Sequence, residues 1–267
     1  MGTIVAFHAH PDDESIATAG TVARAVEAGH RAVLVVATRG EHGEIVPGVL
    51  AEGEQLGVRR VAETFAAARE LGIARVEFLG YLDSGMMGTP ENDDPYSFWG
   101  ADVVQAANRL ACVLSEEDAD VLTVYDDHGG YGHPDHIQVH RVGVRAAQLA
   151  RVDHVFEATM NRDHIRRARE LARAEEMTVP GPESESETEL QIGLAEAALT
   201  HAVDVRSVLH RKRAAMVAHR SQIADDSWFL AMDDDTFTTA FGTEWFRRHG
   251  VDHTAGPTMV DLLPGLG

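Results

Sequence analysis

The chain has 267 residues, 44% of them hydrophobic, which suits one α/β domain with an appended segment and enough interior to bury a core. Its 43 acidic against 23 basic residues leave a formal charge of −20, and the only basic run is HRKR at 210–213, so nucleic acid and anionic membrane surfaces are excluded as partners. The single cysteine, Cys112, rules out an intrachain disulfide and a thiolate zinc site; within RLACVL it reads as a small buried hydrophobe. The first residues lack the basic and apolar regions of a secretion signal, and no apolar run reaches the roughly 18 residues that span a bilayer, so a cytoplasmic location is expected.

In chain order, TIVAF (3–7) reads as a buried strand, followed by the cluster HAHPDDES and then a helix through SIATAGTVARAVEAG ending near Gly29. RAVLVVAT (31–38) is a second strand, 52–72 a long helix stopped by Gly72, and VEFLGY (76–81) a third strand. Residues 82–99 form a Gly/Pro-rich loop of a length that is often functional. A helix over 101–117, a strand over 121–126, a helix over 136–151, a strand over 154–160 and a helix over 162–177 follow. Strands alternating with helices, each strand a continuous apolar run, predict a Rossmann-like, mostly parallel sheet with helices on both faces. Residues 1–178 are expected to form this core and 179–190 an acidic loop. Residues 191–267 would be the C-terminal part of the same domain, with a strand near 199–203, a helix near 206–219 and a segment walling the pocket.

Parallel sheets place their sites at the carboxyl ends of the strands, so the first turn is the place to look. It is HPDDE rather than a glycine-rich phosphate loop, and its carboxylates would repel a phosphate. Pro and Asp are also ordinary helix-start signals. A second cluster, GGYGHPDH, nevertheless follows another predicted strand, so both should emerge at one edge of the sheet. Imidazole and carboxylate are the ligand types that zinc accepts besides thiolate. His10, Asp13 and His136 supply three ligands and leave a fourth position open, as a catalytic zinc requires. Asp12 is then a carboxylate left beside the metal, a general-base candidate. His133 can lean over the site from the same helix start, with Asp135 to orient its imidazole.

The pair AHPDDE and GHPDH resembles the LmbE-like, or PIG-L, family of zinc-dependent N-deacetylases. The resemblance implies a Rossmann-like fold and one zinc per chain on His10, Asp13 and His136, with iron(II) as the alternative ion. It implies Asp12 as base, His133 as acid and oxyanion stabiliser with Asp135 behind it, and Tyr131 as a mobile group near the reacting carbonyl. The segments TRGEHGE (38–44), RVAETFAAARELG (60–72) and DSGMMGTPENDDPYSF (83–98) are similar to the branch acting in mycothiol biosynthesis on an N-acetylglucosaminyl-inositol. By that match Arg60 and Asp83 contact the substrate. KRAAMVAHRSQ (212–222) is similar to the family's C-terminal helix, whereas 161–205 departs from the pattern.

The expected partner is a small N-acetyl sugar or glycoside, with a homo-oligomer left open. Within the hydrolases, a mycothiol S-conjugate amidase and a natural-product tailoring deacetylase are the alternatives. An iron oxygenase could use the same two-histidine, one-carboxylate set but would leave Asp12 and His133 idle. A non-catalytic sugar-binding relative is disfavoured because every catalytic position is filled.

Overall fold

A computed structural model describes residues 1–174 and 192–263 of the chain. The apolar runs become strands β1 (Thr3–His8), β2 (Arg31–Val36), β3 (Arg75–Phe78), β4 (Val121–Tyr125) and β5 (His154–Thr159), all parallel. Three C-terminal strands, β6 (His201–Asp204), β7 (Thr243–Arg248) and β8 (Thr258–Met259), continue the same sheet, in the order β3-β2-β1-β4-β5-β7-β6-β8. Only β7 runs against its neighbours, pairing antiparallel with both β5 and β6.

Alternation along β1 sends Ile4 and Ala6 to one face and Val5 and Phe7 to the other, and each face is covered. On the first face lie α2 (Ala19–Glu27), α3 (Leu56–Leu71) and α8 (Leu209–Ala218), through Val22, Leu71 and Met216. On the second lie α4 (Val103–Glu116) and α6 (Pro134–Ala150), through Leu110, Leu114, Val139 and Val142. The remaining helices are α1 (Asp13–Ala17), the short turn α5 (Gly129–Gly132), α7 (Arg162–Ala174) and α9 (Asp234–Phe241). No helix among the described residues is long and apolar enough to cross a membrane.

Two expectations change. The helix expected through 15–29 breaks at Thr18 (φ −136°), whose hydroxyl is taken by His8 Nε2 at 2.8 Å. The new start of α2 at Gly20 and Thr21 donates its amides to the Glu244 carboxylate on β7, at 2.8 Å each. Cys112 is exposed rather than buried, because α4 turns its apolar face through Ala111 and Leu114 and leaves Cys112 outside it. The acidic loop expected over 179–190 and the end of the helix expected over 162–177 lie outside the described residues.

Candidate metal and active site

Four segments at the carboxyl ends of β1 to β4 meet above the sheet. The β1 turn carries His10, Asp12 and Asp13; the loop after β2 carries Gly40 and His42; the loop after β3 carries Asp83 and Ser84; the turn after β4 leads through α5 into α6 with His133, Asp135 and His136. Pro134 opens α6, and its N-cap is His133, whose Nδ1 accepts the Asp135 amide at 3.1 Å. Gly129 (φ 67°) has no room for a side chain, since a Cβ there would lie 2.7 Å from His136 Cβ. That closeness lets its carbonyl accept from His136 Nδ1 at 3.2 Å. His136 is held from its other side by the Tyr125 ring, stacked at 4.2 Å with an 8° tilt.

The three residues expected to hold the metal are brought together. Asp13 Oδ2 lies 3.4 Å from His10 Nδ1 and 3.4 Å from His136 Nε2. Two ligands held tetrahedrally at zinc distances of about 2.0–2.1 Å are themselves about 3.4 Å apart, so the spacing fits. The proton positions fit as well. His136 Nδ1 faces a carbonyl and must carry its proton there, which leaves Nε2 as a lone pair; that Nε2 is buried and without a hydrogen-bond partner. His10 Nε2 faces two carboxylates, Asp135 Oδ2 at 3.1 Å and Asp83 Oδ1 at 3.5 Å, so a proton on Nε2 leaves Nδ1 free to hold a cation. Burial works against charge on His10, but Asp13, Asp135 and Asp83 outweigh it and hold the ring's pKa well above the usual range.

Asp12 sits beside this cage in a conformation rare for a non-glycine residue, φ 100° and ψ −30°. Burial, tempered by the Arg60 guanidinium and reinforced by Asp13, pushes its carboxyl up to about 6. Arg60, expected to contact the substrate, is turned inward in this structure. It is 3% exposed, and its nitrogens go to the Gly40 carbonyl at 2.8 Å, the Pro11 carbonyl, and Asp12 Oδ1 at 3.1 Å. It is a counter-charge for Asp12. Asp83 is also buried and turned inward, accepting from the amides of His42 at 3.1 Å and Gly85 at 2.8 Å besides facing His10.

His133, expected as acid and oxyanion stabiliser, lies beside His10 and His136. Burial, with His10 and His136 nearby, lowers its pKa to about 4 against the opposing pull of Asp135 and Asp13. The Asp135 carboxylate does not hold its ring; it is taken by His10 Nε2 and by the Ser84 amide and hydroxyl. Burial thus favours the neutral ring, with its proton on Nε2 because Nδ1 accepts the Asp135 amide. Tyr131 stands at the rim, 49% exposed, its ring edge-on to His136 at 5.0 Å and to His133 at 6.2 Å.

A second imidazole–carboxylate group, His140, Glu157 and His249, lies one helical turn from His136. Its polar atoms are already engaged. Glu157 is held by Arg247 and by His249 Nδ1 at 2.8 Å, and His140 Nδ1 faces the Tyr125 carbonyl at 3.0 Å. Sequence reasoning missed Ser84, which fixes Asp135, and Tyr125, which backs His136. It also gave Glu14 no place in the site, although that carboxylate is 1% exposed. The Asp-Ser pair opening the long loop was the one available signal for Ser84.

A family model described as PIG-L, GlcNAc-PI de-N-acetylase, matches residues 5–147. The 1D-myo-inositol 2-acetamido-2-deoxy-alpha-D-glucopyranoside deacetylase of Acidothermus cellulolyticus is 41% identical over 277 residues, covering 99% of this chain and 95% of the relative. Among solved structures, the N,N'-diacetylchitobiose deacetylase of Pyrococcus horikoshii superposes with a TM-score of 0.58 at 20% identity, over 95% of this chain and 82% of that one. The 4-carboxy-2-hydroxymuconate hydratase GalB of Pseudomonas putida superposes with a TM-score of 0.59 at 19% identity, over 95% of this chain and 98% of that one. A deacetylase and a hydratase on one fold leave the reaction to be argued from sequence kinship and the site.

Proposed function

This chain belongs to the PIG-L family of de-N-acetylases, and from that premise we propose that it hydrolyses the acetamide of an N-acetylglucosaminyl polyol, releasing acetate and the free amine. The observation that carries the reading is Asp13 Oδ2 at 3.4 Å from both His10 Nδ1 and His136 Nε2, with an orphaned imidazole nitrogen on His136 and a further carboxylate, Asp12, beside it. We assign zinc to that cage, with iron(II) as the ion to distinguish by metal analysis.

When bound, zinc would acidify a water and draw electrons from the acetamide oxygen. Asp12, deprotonated above about pH 6, takes the proton of the attacking water as the new C–O bond forms. Neutral His133 donates from Nε2 to the oxygen on which negative charge develops, which needs no change in its protonation. The C–N bond then breaks as Asp12 returns its proton to the nitrogen. Burial raises the Asp12 carboxyl toward the range where it can accept and give back a proton, and lowers His133 away from the cationic form an acid would need. Asp83 and Asp135 orient His10, and Arg60 holds Asp12.

An open cleft of about 430 Å³ lies beside Asp83, lined by His42, Pro90, Glu91, Asp93 and Asp94. Its carboxylates accept hydroxyl hydrogen bonds and repel phosphate, which favours an uncharged polyol aglycone such as inositol over a phosphoinositide. The test is amine release from N-acetylglucosaminyl-inositol, its phosphatidyl counterpart, N-acetylglucosamine and a thiol-conjugate amide, each with zinc restored. Fastest turnover of the uncharged pseudo-disaccharide is expected. Preference for the phosphoinositide would overturn the reading of the cleft, and no amine from any of them would overturn the activity.

A further inference from the structure

We propose that His219, acting through Glu14, is a positioning residue that holds Asp12 in its left-handed conformation and so aims the carboxylate at the reacting atoms. The inference rests on the reading of Asp12 as general base. At φ 100° the backbone of Asp12 turns its amide inward, where Glu14 Oε2 accepts it at 3.0 Å. No side chain favours this backbone region, so Asp12 stays there only while its surroundings hold it. Glu14 is itself fixed: its Oε1 accepts from Ser15 Oγ at 2.9 Å and from His219 Nε2 at 2.6 Å. His219 caps α8, lies 205 residues from Glu14 in sequence, and is fully buried. Arg60 holds the other end of the same residue, through the Pro11 carbonyl and Asp12 Oδ1. Asp12 is thus gripped at its amide from α8 and at its carboxylate from α3.

The pair is not needed to dock α8. That helix is anchored separately by Lys212, which donates to the Ile16 carbonyl at 2.8 Å and to Glu244 at 2.6 Å. Just beyond it, Ser221 donates its amide and hydroxyl to Glu63 at 3.0 and 2.6 Å. A buried carboxylate–imidazole pair is weak as a device for stability, since apolar residues of similar volume commonly serve as well. What an apolar pair could not supply is an acceptor at the Asp12 amide. The imidazole keeps that acceptor from turning away, because Glu14 cannot rotate without losing His219.

The test uses the zinc-loaded full chain and compares His219→Ala, His219→Gln, Glu14→Gln, Asp12→Asn and the Asp12→Asn/His219→Ala double variant. His219→Ala should lower kcat by about 10- to 100-fold, as misplacement of a reacting group by a fraction of an ångström to an ångström does, with KM and zinc content unchanged. His219→Gln, whose amide can still donate to Glu14, should recover most of that loss. The double variant should be no slower than Asp12→Asn alone, and amide exchange across residues 8–15 should quicken in His219→Ala. Should that variant not fold, the near-isosteric Glu14→Gln carries the same comparison. A wild-type kcat in His219→Ala, or losses that add in the double variant, would overturn the proposal. A wild-type rate in Asp12→Asn would instead overturn the base assignment, while the exchange measurement would still report whether His219 holds this turn.

Discussion

Replacing Asp12 by Asn should make the protein slower and more stable together. Its carboxyl stands at about 6 against an ordinary 3.8, chiefly because burial penalises the charged form. A gap of about 2 units corresponds to about 3 kcal/mol, as an upper figure, by which the ionised group destabilises the fold at neutral pH. Because the folded pKa is raised, the folded chain binds this proton more tightly than the unfolded one. The penalty is therefore complete above about pH 6, shrinks as pH falls through 6, and is gone below the unfolded value of 3.8. Asn is a neutral near-isostere and can still accept from Arg60 through its amide oxygen. In melts of the metal-free protein near pH 7.5, the variant should unfold later by several degrees, at about 2–4 °C per kcal/mol for a chain of this size. The difference should close as the pH approaches 4. In the zinc-loaded enzyme the same variant should keep its metal and lose about 10²- to 10⁴-fold in kcat. An equal or lower Tm for Asp12→Asn at neutral pH would refute the electrostatic reasoning, and loss of zinc would make Asp12 a ligand.

The other expectations follow from the same geometry. His136→Ala should lose both zinc and turnover, since it removes the orphaned ligand nitrogen; full metal occupancy would sink the cage. Arg60→Gln should move the acid limb of the rate profile upward by about one pH unit with KM for the sugar held, because the guanidinium holds Asp12 down. A raised KM with an unmoved limb would return Arg60 to the substrate. His133→Ala should keep the metal, lose about 10²- to 10³-fold in kcat as an oxyanion donor does, and leave any alkaline limb where it was. A lost alkaline limb would show that His133 works as a cation.

The fold was legible because burial on both faces leaves a strand no polar positions. Val33 to Val36 and Val121 to Val124 could be read straight off as core strands, and the helices between them by their period. The edge and the C-terminal strands were harder. Strand β3, with Arg75 and Glu77 in it, is half-buried and loses the last positions expected of it. Strand β7 mixes Glu244, Arg247 and Arg248 with Trp245 and Phe246, because it serves two masters: a sheet, and the capping of α2 through Glu244. The candidate metal donors were legible for a different reason. Zinc restricts its donors to a few residue types, and two such clusters each at a strand end leave few ways to combine.

Roles beyond the ligands depend on where a proton rests, and that depends on neighbours distant in sequence. Asp135 stands two residues from His133 and reads as its partner, yet a side chain at the start of a helix points according to its φ and ψ, not its sequence distance. Its carboxylate turns to Ser84 and His10, and only its amide serves His133. The consequence decides the chemistry. With the carboxylate spent on His10, Asp135 and Asp13 only partly offset the burial of His133 beside two other imidazoles, and its pKa falls to about 4. On the proposed mechanism, the proton that reaches the leaving nitrogen comes from the carboxyl whose pKa is raised toward neutrality, Asp12. A site with four carboxylates around three imidazoles thus divides its labour by hydrogen bonding: Asp13 faces the cation's place, Asp83 and Asp135 fix an imidazole, and Asp12, held by Arg60 and by the Glu14 contact to its amide, is left to move the proton.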